Sequence, residues 1–201
     1  MGNGEQNLGR LGQSVRWQSI NVAVQVILQI VFLRVLGAFL APGDWGLMGI
    51  ALAIVGIIEI FAQIGVGPSL VQKKDLNDGH IAAAFWLSTA LGITFTAAVY
   101  IAAPWIAGLY GDPELVPVLR WIGLSFTLAA LALVPRSLLL RRMDFRSLFF
   151  SSLSAMLIAN WAIGIGMAMA GYGIWSYAVA LIVQNTLLGL NYWWRARVRI
   201  R

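Results

Sequence analysis

Residues 45–68 read WGLMGIALAIVGIIEIFAQIGVGP, and residues 71–80 read VQKKDLNDGH. The first stretch is about 24 residues of almost unbroken apolar sequence, enough to cross a bilayer at ~1.5 Å rise per residue. It carries one ionisable residue, Glu59, which falls roughly 21 Å along the helix from Trp45, not far past the midplane. The span then runs into a basic turn at Lys73 and Lys74. A hydrophobic span, an internal acid and a positive anchor together read as a transporter-like stretch. Spans of similar length and loops of alternating charge recur outward from it in both directions.

Composition supports a membrane reading for the whole chain. Hydrophobic residues make up 60% of the 201 positions and charged residues 11%. A soluble domain of this size carries about 25% charged residues. Mean hydropathy is +0.80. The net charge of +6 does not read as nucleic-acid binding, because the basic residues fall in a few short loops and one tail, as membrane anchors do. With no cysteine, disulfides and thiolate metal sites are excluded. The first sixteen residues are polar and the apolar segment after them is too long for an h-region, so no cleavable signal peptide is expected.

Taken in order, residues 1–16 form a polar cytoplasmic lead and residues 17–40 a first span. Ala41-Pro42-Gly43-Asp44 breaks it, and Asp44 is placed to cap the second span, 45–68. Asp78 is the expected cap of the third span, 81–109, in which Pro104 predicts a kink or an early end. Gly111-Asp112-Pro113-Glu114 offers a glycine stop, an aspartate cap, a proline at the first helical position and an acid in the first turn. The fourth span is 115–139 and the fifth 147–170. Gly171-Tyr172-Gly173 turns tightly into the sixth, 174–194, and a basic tail, 195–201, closes the chain. The expectation is an all-α integral membrane protein with six transmembrane helices in one domain.

Lysine and arginine set the orientation. The lead, the second and fourth loops and the tail hold twelve of the fourteen basic residues; the other two are Arg34 and Arg120. The remaining loops hold only Asp44, Asp112 and Glu114 among charged residues. Both termini are therefore expected in the cytoplasm.

Polar residues inside spans are the candidate functional groups. Ser14, Gln18, Asn21, Gln25 and Gln29 follow one another at steps of four, three, four and four, so they share one face of the first span. Amides facing lipid are costly, so this stripe faces other helices or a wet cavity. Glu59 and Gln63 make a second patch one helical step apart. A midspan carboxylate marks a functional site or is paired or protonated between helices. Arg34 and Arg120 lie near the outer ends of their spans, where they snorkel, join an ion pair or contact an anion. Asn160, Gln184 and Asn185 show no pattern. Many tryptophans lie near span ends, as an aromatic belt requires. His80 has no second histidine or cysteine to form a metal site, and no nucleophile or phosphate-loop motif is present. No metal, cofactor or enzyme activity is expected.

Several stretches together carry a resemblance: Leu36-Gly37, Pro42-Gly43-Asp44-Trp45-Gly46, Gly65-Val66-Gly67 and Leu70-Val71-Gln72-Lys73-Lys74-Asp75-Leu76. Further along come Ala84-Phe85-Trp86-Leu87, Tyr110-Gly111-Asp112-Pro113-Glu114-Leu115, Val134-Pro135-Arg136, Arg142 with Asp144-Phe145-Arg146, and Gly171-Tyr172-Gly173-Ile174-Trp175. In order and spacing the chain resembles the N-terminal half of the Wzx-like polysaccharide and lipopolysaccharide flippases of the multidrug/oligosaccharidyl-lipid/polysaccharide exporter superfamily. The resemblance implies a fold of two six-helix lobes in a V, of which this chain supplies one, in a bacterial inner membrane. It implies a substrate as well, an isoprenoid-pyrophosphate-linked oligosaccharide moved between leaflets by alternating access. Family members have twelve to fourteen spans, so the chain is expected to be a fragment, a truncated product or a half that pairs with a second lobe or a second copy. Ser176-Tyr177 departs from the pattern of relatives after Trp175.

On this reading the stripe Gln18, Asn21, Gln25 and Gln29 and the patch Glu59 and Gln63 are the cavity candidates. Lys73, Lys74, Arg141 and Arg142 lie at the cytoplasmic mouth, where they anchor topology and are candidates for contacting pyrophosphate or anionic lipid. Arg34 and Arg120 are weaker candidates. The competing class is a non-transporting membrane scaffold or an inactive half-transporter. A membrane glycosyltransferase or polymerase ranks last, because it needs a catalytic acid or a large outer loop. Expected partners are the bilayer, the lipid-linked oligosaccharide and a second lobe, with no nucleic acid.

Overall fold

The computed structural model describes residues 2–63, 66–72 and 76–197, and nothing in them is a strand. Lys73 and Lys74 lie outside the described residues, as do the side chains of Gln18, Asn21, Glu59 and Gln63. The helices are α1 (Gly2–Phe39), α2 (Pro42–Gln63), α3 (Val66–Gln72), α4 (Asp78–Tyr110), α5 (Leu115–Arg141), α6 (Phe145–Met156), α7 (Ile165–Met169) and α8 (Trp175–Ala196). A π-helical stretch, Leu157–Gly164, joins α6 to α7 without a break. Among the described residues four segments are long and apolar enough to cross a membrane: Val22–Phe39, Asp78–Tyr110, Leu115–Arg141 and Phe145–Met169. The polar lead is not a separate element, because α1 runs through it from Gly2.

The helix ends follow from local chemistry. Pro42 opens α2 at a position where its missing N–H is no loss, and the Asp44 carboxylate reaches back to accept from Ala41 N at 3.1 Å. Asp44 thus supplies the return half of a capping box, from inside the first turn rather than from the cap. The cap of α4 is Asn77, not Asp78. Asn77 is extended (φ −112, ψ 168), its Oδ1 accepts from His80 N at 2.8 Å, and His80 Nδ1 accepts from Asn77 N at 3.4 Å. Asp78 follows as the first helical residue, where its charge favours the N-terminal dipole. Gly111 closes α4 in the left-handed region (φ 69), and Asp112 Oδ1 accepts from Glu114 N at 2.9 Å ahead of α5. Pro104 does not end α4, which continues to Tyr110. Six residues remain beyond it, and Ala103 just before it and Ala107 just after it are buried in the main core. Asp144 caps α6 through Ser147 N at 3.1 Å.

Helix α5 is the spine. Leu115, Val118, Leu119, Ile122, Phe126 and Leu139 are buried along it. On one side it meets α4 at a seam of small residues. A Cβ on Gly92 would lie 2.5 Å from Ala130 Cβ and 3.0 Å from Phe126 O, so only glycine lets the two backbones come this close. The hydroxyl of Thr96 donates to Gly123 O at 2.8 Å and lies 2.8 Å from Thr127 Oγ1. Ser88 Oγ is 3.4 Å from Ala130 O. Where lipid offers no hydrophobic drive, close backbone approach and such hydroxyl bonds hold helices together. On another side α5 meets α8, where Trp193 Nε1 donates to Leu131 O at 3.0 Å. Phe32 and Leu36 attach α1 to the main core beside Ile174, Tyr177 and Ala178.

Candidate functional site

The α1 stripe is the natural start. Of its residues, Gln25 and Gln29 have described side chains, and both are half-buried. Gln29 meets Asn160, whose Nδ2 donates to Gln29 Oε1 at 3.4 Å across 131 positions of sequence. Asn160 is 3% exposed and stands in the middle of the π-helical stretch. π turns are rare, and they tend to mark places where a helix is re-aimed for function. Gly164, at the end of this stretch, lets Phe32 of α1 and Ala180 of α8 approach: a Cβ there would lie 3.2 Å from Phe32 Cε2 and 3.1 Å from Ala180 Cβ. The stripe therefore faces the α6–α7 column at the level of Gln29. Asn160, which showed no pattern in the sequence, is part of it. An amide whose partner is more than a hundred residues away leaves no periodic signal in its own segment.

Between these amides the same helix is apolar. Ile27 and Ile30 are each 60% exposed, so α1 carries amides on one face and a lipid-compatible surface on another. Glu59 and Gln63 fall within α2 and at its last residue, respectively.

At the predicted cytoplasmic end the arginines are engaged with main chain. Arg141 Nη1 donates to Leu70 O at 3.0 Å, and Arg142 Nη1 donates to Ala196 O at 3.0 Å. These carbonyls belong to the ends of α3 and α8, where they have no partner within their own helices and carry the negative end of the dipole. The two neighbouring arginines thus staple two separate helix ends to the end of α5. Arg195 Nη1 reaches Ser147 Oγ at 3.4 Å and ties α8 to the start of α6. Of the weaker candidates, Arg34 is exposed, whereas Arg120 is half-buried with its guanidinium 4.2 Å over the Tyr100 ring. Arg120 is thereby held by an aromatic face rather than by a carboxylate. Among the described residues no three of His, Cys, Asp and Glu cluster as metal ligands.

A transmembrane helix carrying an amide stripe, packed on a π-distorted neighbour, suits contact with a polar group inside the bilayer. The profile of a family described as "Polysaccharide biosynthesis protein" matches residues 35–201. The chain belongs to this family. Among curated relatives, it is 28% identical over 183 residues to the succinoglycan biosynthesis transport protein ExoT of Rhizobium meliloti (strain 1021), covering 89% of this chain and 36% of that protein. It is 23% identical over 142 residues to the lipopolysaccharide biosynthesis protein WzxC of Escherichia coli (strain K12), covering 71% of this chain and 29% of the relative. The teichuronic acid biosynthesis protein TuaB of Bacillus subtilis (strain 168) is 24% identical over 178 residues, covering 89% and 37%. The chain thus spans about a third of the length of these relatives. No solved structure matches. By its spanning segments and its family, the chain is a multi-pass membrane protein of the polysaccharide biosynthesis protein family.

Proposed function

We propose that the chain forms one six-span lobe of a flippase that moves an isoprenoid-pyrophosphate-linked oligosaccharide from the inner to the outer leaflet by alternating access. In this reading α2 and α8 cross the membrane with the four strongly apolar segments, and both termini are cytoplasmic. The single observation that carries it is the amide-bearing face of α1, joined by Asn160, within a chain of a polysaccharide biosynthesis family. A pyrophosphate and its sugars lose their hydration in hydrocarbon, so a pathway must offer protein polar groups in place of water. Gln25 and Gln29, with Gln18 and Asn21 further along the stripe, supply such groups. Glu59 and Gln63 on α2 are proposed to extend the lining. Lys73 and Lys74 are proposed to gather the anionic headgroup at the cytoplasmic mouth, while Arg141 and Arg142 hold that mouth in shape. The lobe acts with a second lobe, from a longer chain or a second copy, and protein catalysis has no part in the process.

The test is translocation of a fluorescent lipid-linked oligosaccharide in vesicles. We expect no flipping by residues 1–201 as a monomer and flipping when they are joined to a second lobe. Robust transport by a demonstrated monomer would remove the need for the second lobe. No transport by the joined protein would favour a non-transporting scaffold.

A further inference from the structure

The Gln29–Asn160 pair has a direction. Asn160 donates and Gln29 accepts through Oε1. The oxygen and nitrogen of a primary amide lie on opposite sides of its carbonyl carbon, and the nitrogen carries two donors. With the oxygen taken by Asn160, the N–H pair of Gln29 is turned away from it. Trp161, next in the same π-helical stretch, adds another donor, since its Nε1 is buried with no acceptor. Gln29 and Trp161 thus each carry a donor beyond the bond that joins Gln29 to Asn160.

From this we infer that Asn160 is a positioning residue: by holding the carbonyl oxygen of Gln29 it turns the Gln29 N–H pair toward a bound group and so selects anionic, oxygen-rich groups such as a pyrophosphate over cations. The inference rests on the cavity reading above and deepens it. The π-helical stretch is what allows the arrangement. Its wider turns place Asn160 against α1 while Gly164 still packs beneath Phe32 and Ala180.

Asn160→Leu tests the pairing without adding charge, because it removes the donor that holds the Gln29 oxygen and leaves the Gln29 amide to present either end. The probes are two isoprenoids of equal chain length, one ending in pyrophosphate and the other in a primary ammonium. Binding of each to the full-length protein in nanodiscs is read as a ratio. A fold defect lowers both affinities together, whereas loss of the held orientation moves the ratio. The parent protein is expected to favour pyrophosphate, Asn160→Leu to reduce that preference at least fivefold, and Asn160→Gln to retain most of it. In protein labelled with ¹⁵N at glutamine, the Gln29 side-chain signal should shift in Asn160→Leu without any ligand. An unchanged ratio in Asn160→Leu, in a parent that prefers pyrophosphate, overturns the inference alone. A parent with no preference for pyrophosphate overturns the cavity reading together with it. An unmoved Gln29 signal overturns the hydrogen-bonded pairing itself.

Discussion

Helices α4 and α5 meet differently from the way α1 meets its neighbours. The α4–α5 seam is close, with Gly92 against Ala130 and paired threonines between the backbones. Helix α1 meets its neighbours with larger side chains, Phe32, Leu33 and Leu36 in the core and Gln29 on Asn160. Of the apolar window of α1, 11% is buried inside the molecule, against 44% for α5. Both segments are apolar enough to span a bilayer, so hydropathy does not separate them. The difference lies in the residues facing the neighbour. Small residues and hydroxyls make a close seam, whereas long amides put polar groups between helices that approach less closely. The first suits a scaffold and the second suits a surface that meets a transient polar group.

The comparison is broken most severely at Gly92. Gly92→Leu should abolish recovery of folded protein, and Gly92→Ala should cost about 1–3 kcal/mol by overpacking. Gly49 of α2, with nothing within 4 Å of an added Cβ, is the matched control. Gly49→Ala should be neutral or raise stability by up to ~1 kcal/mol. Thermal unfolding in detergent, followed by circular dichroism, reads both. Equal loss at the two glycines would mean that the seam is not close-packed.

The next effect should fall on transport rather than folding. Glu59 is the one acid far from both ends of an expected span, and Glu59→Gln keeps its shape while removing its titration. In a two-lobe protein, transport per folded molecule should drop roughly tenfold, or ~1.4 kcal/mol, with folded yield near normal. Wild-type transport across pH would end the case for this carboxylate. A smaller effect distinguishes the two candidate caps of α4. Asn77→Ala should cost about 1 kcal/mol by loss of the cap, while Asp78→Ala should stay within about 0.5 kcal/mol. Smallest of all, Ile27→Ala and Ile30→Ala on the exposed side of α1 should each change stability by less than about 0.5 kcal/mol. A larger loss at either would reveal a protein contact on a face assigned here to lipid.

Much of the punctuation was legible because it is local. A glycine in the left-handed region at position 111, and another pair at 171 and 173, can be read wherever a span ends in such residues. The cap at Asn77 was misplaced by one residue because Asn77 and Asp78 are both good cappers, and the choice falls to the one whose backbone is extended. The polar stripe of α1 was legible from its spacing, but not its partner. Asn160 and the π-helical stretch depend on how Phe32, Gly164 and Ala180 share space, and that is settled by packing between helices distant in sequence. The arginines at 141 and 142 were legible as a charged end, while their bonds to the last carbonyls of α3 and α8 required those helices to be placed.

The central claim is that the amide face of α1 meets water or a polar headgroup while its isoleucine face meets lipid. These 201 residues hold no cysteine, so single cysteines at Gln25, Gln29, Ile27 and Ile30 can be compared once any cysteine of a second lobe is replaced by serine. Their rates of reaction with a water-soluble thiol reagent, measured in the full-length protein in proteoliposomes, test the claim most directly. Fast reaction is expected at positions 25 and 29, slowed by added isoprenoid pyrophosphate, and little reaction at 27 and 30. Equal rates at all four positions, or faster reaction on the isoleucine face, would contradict it.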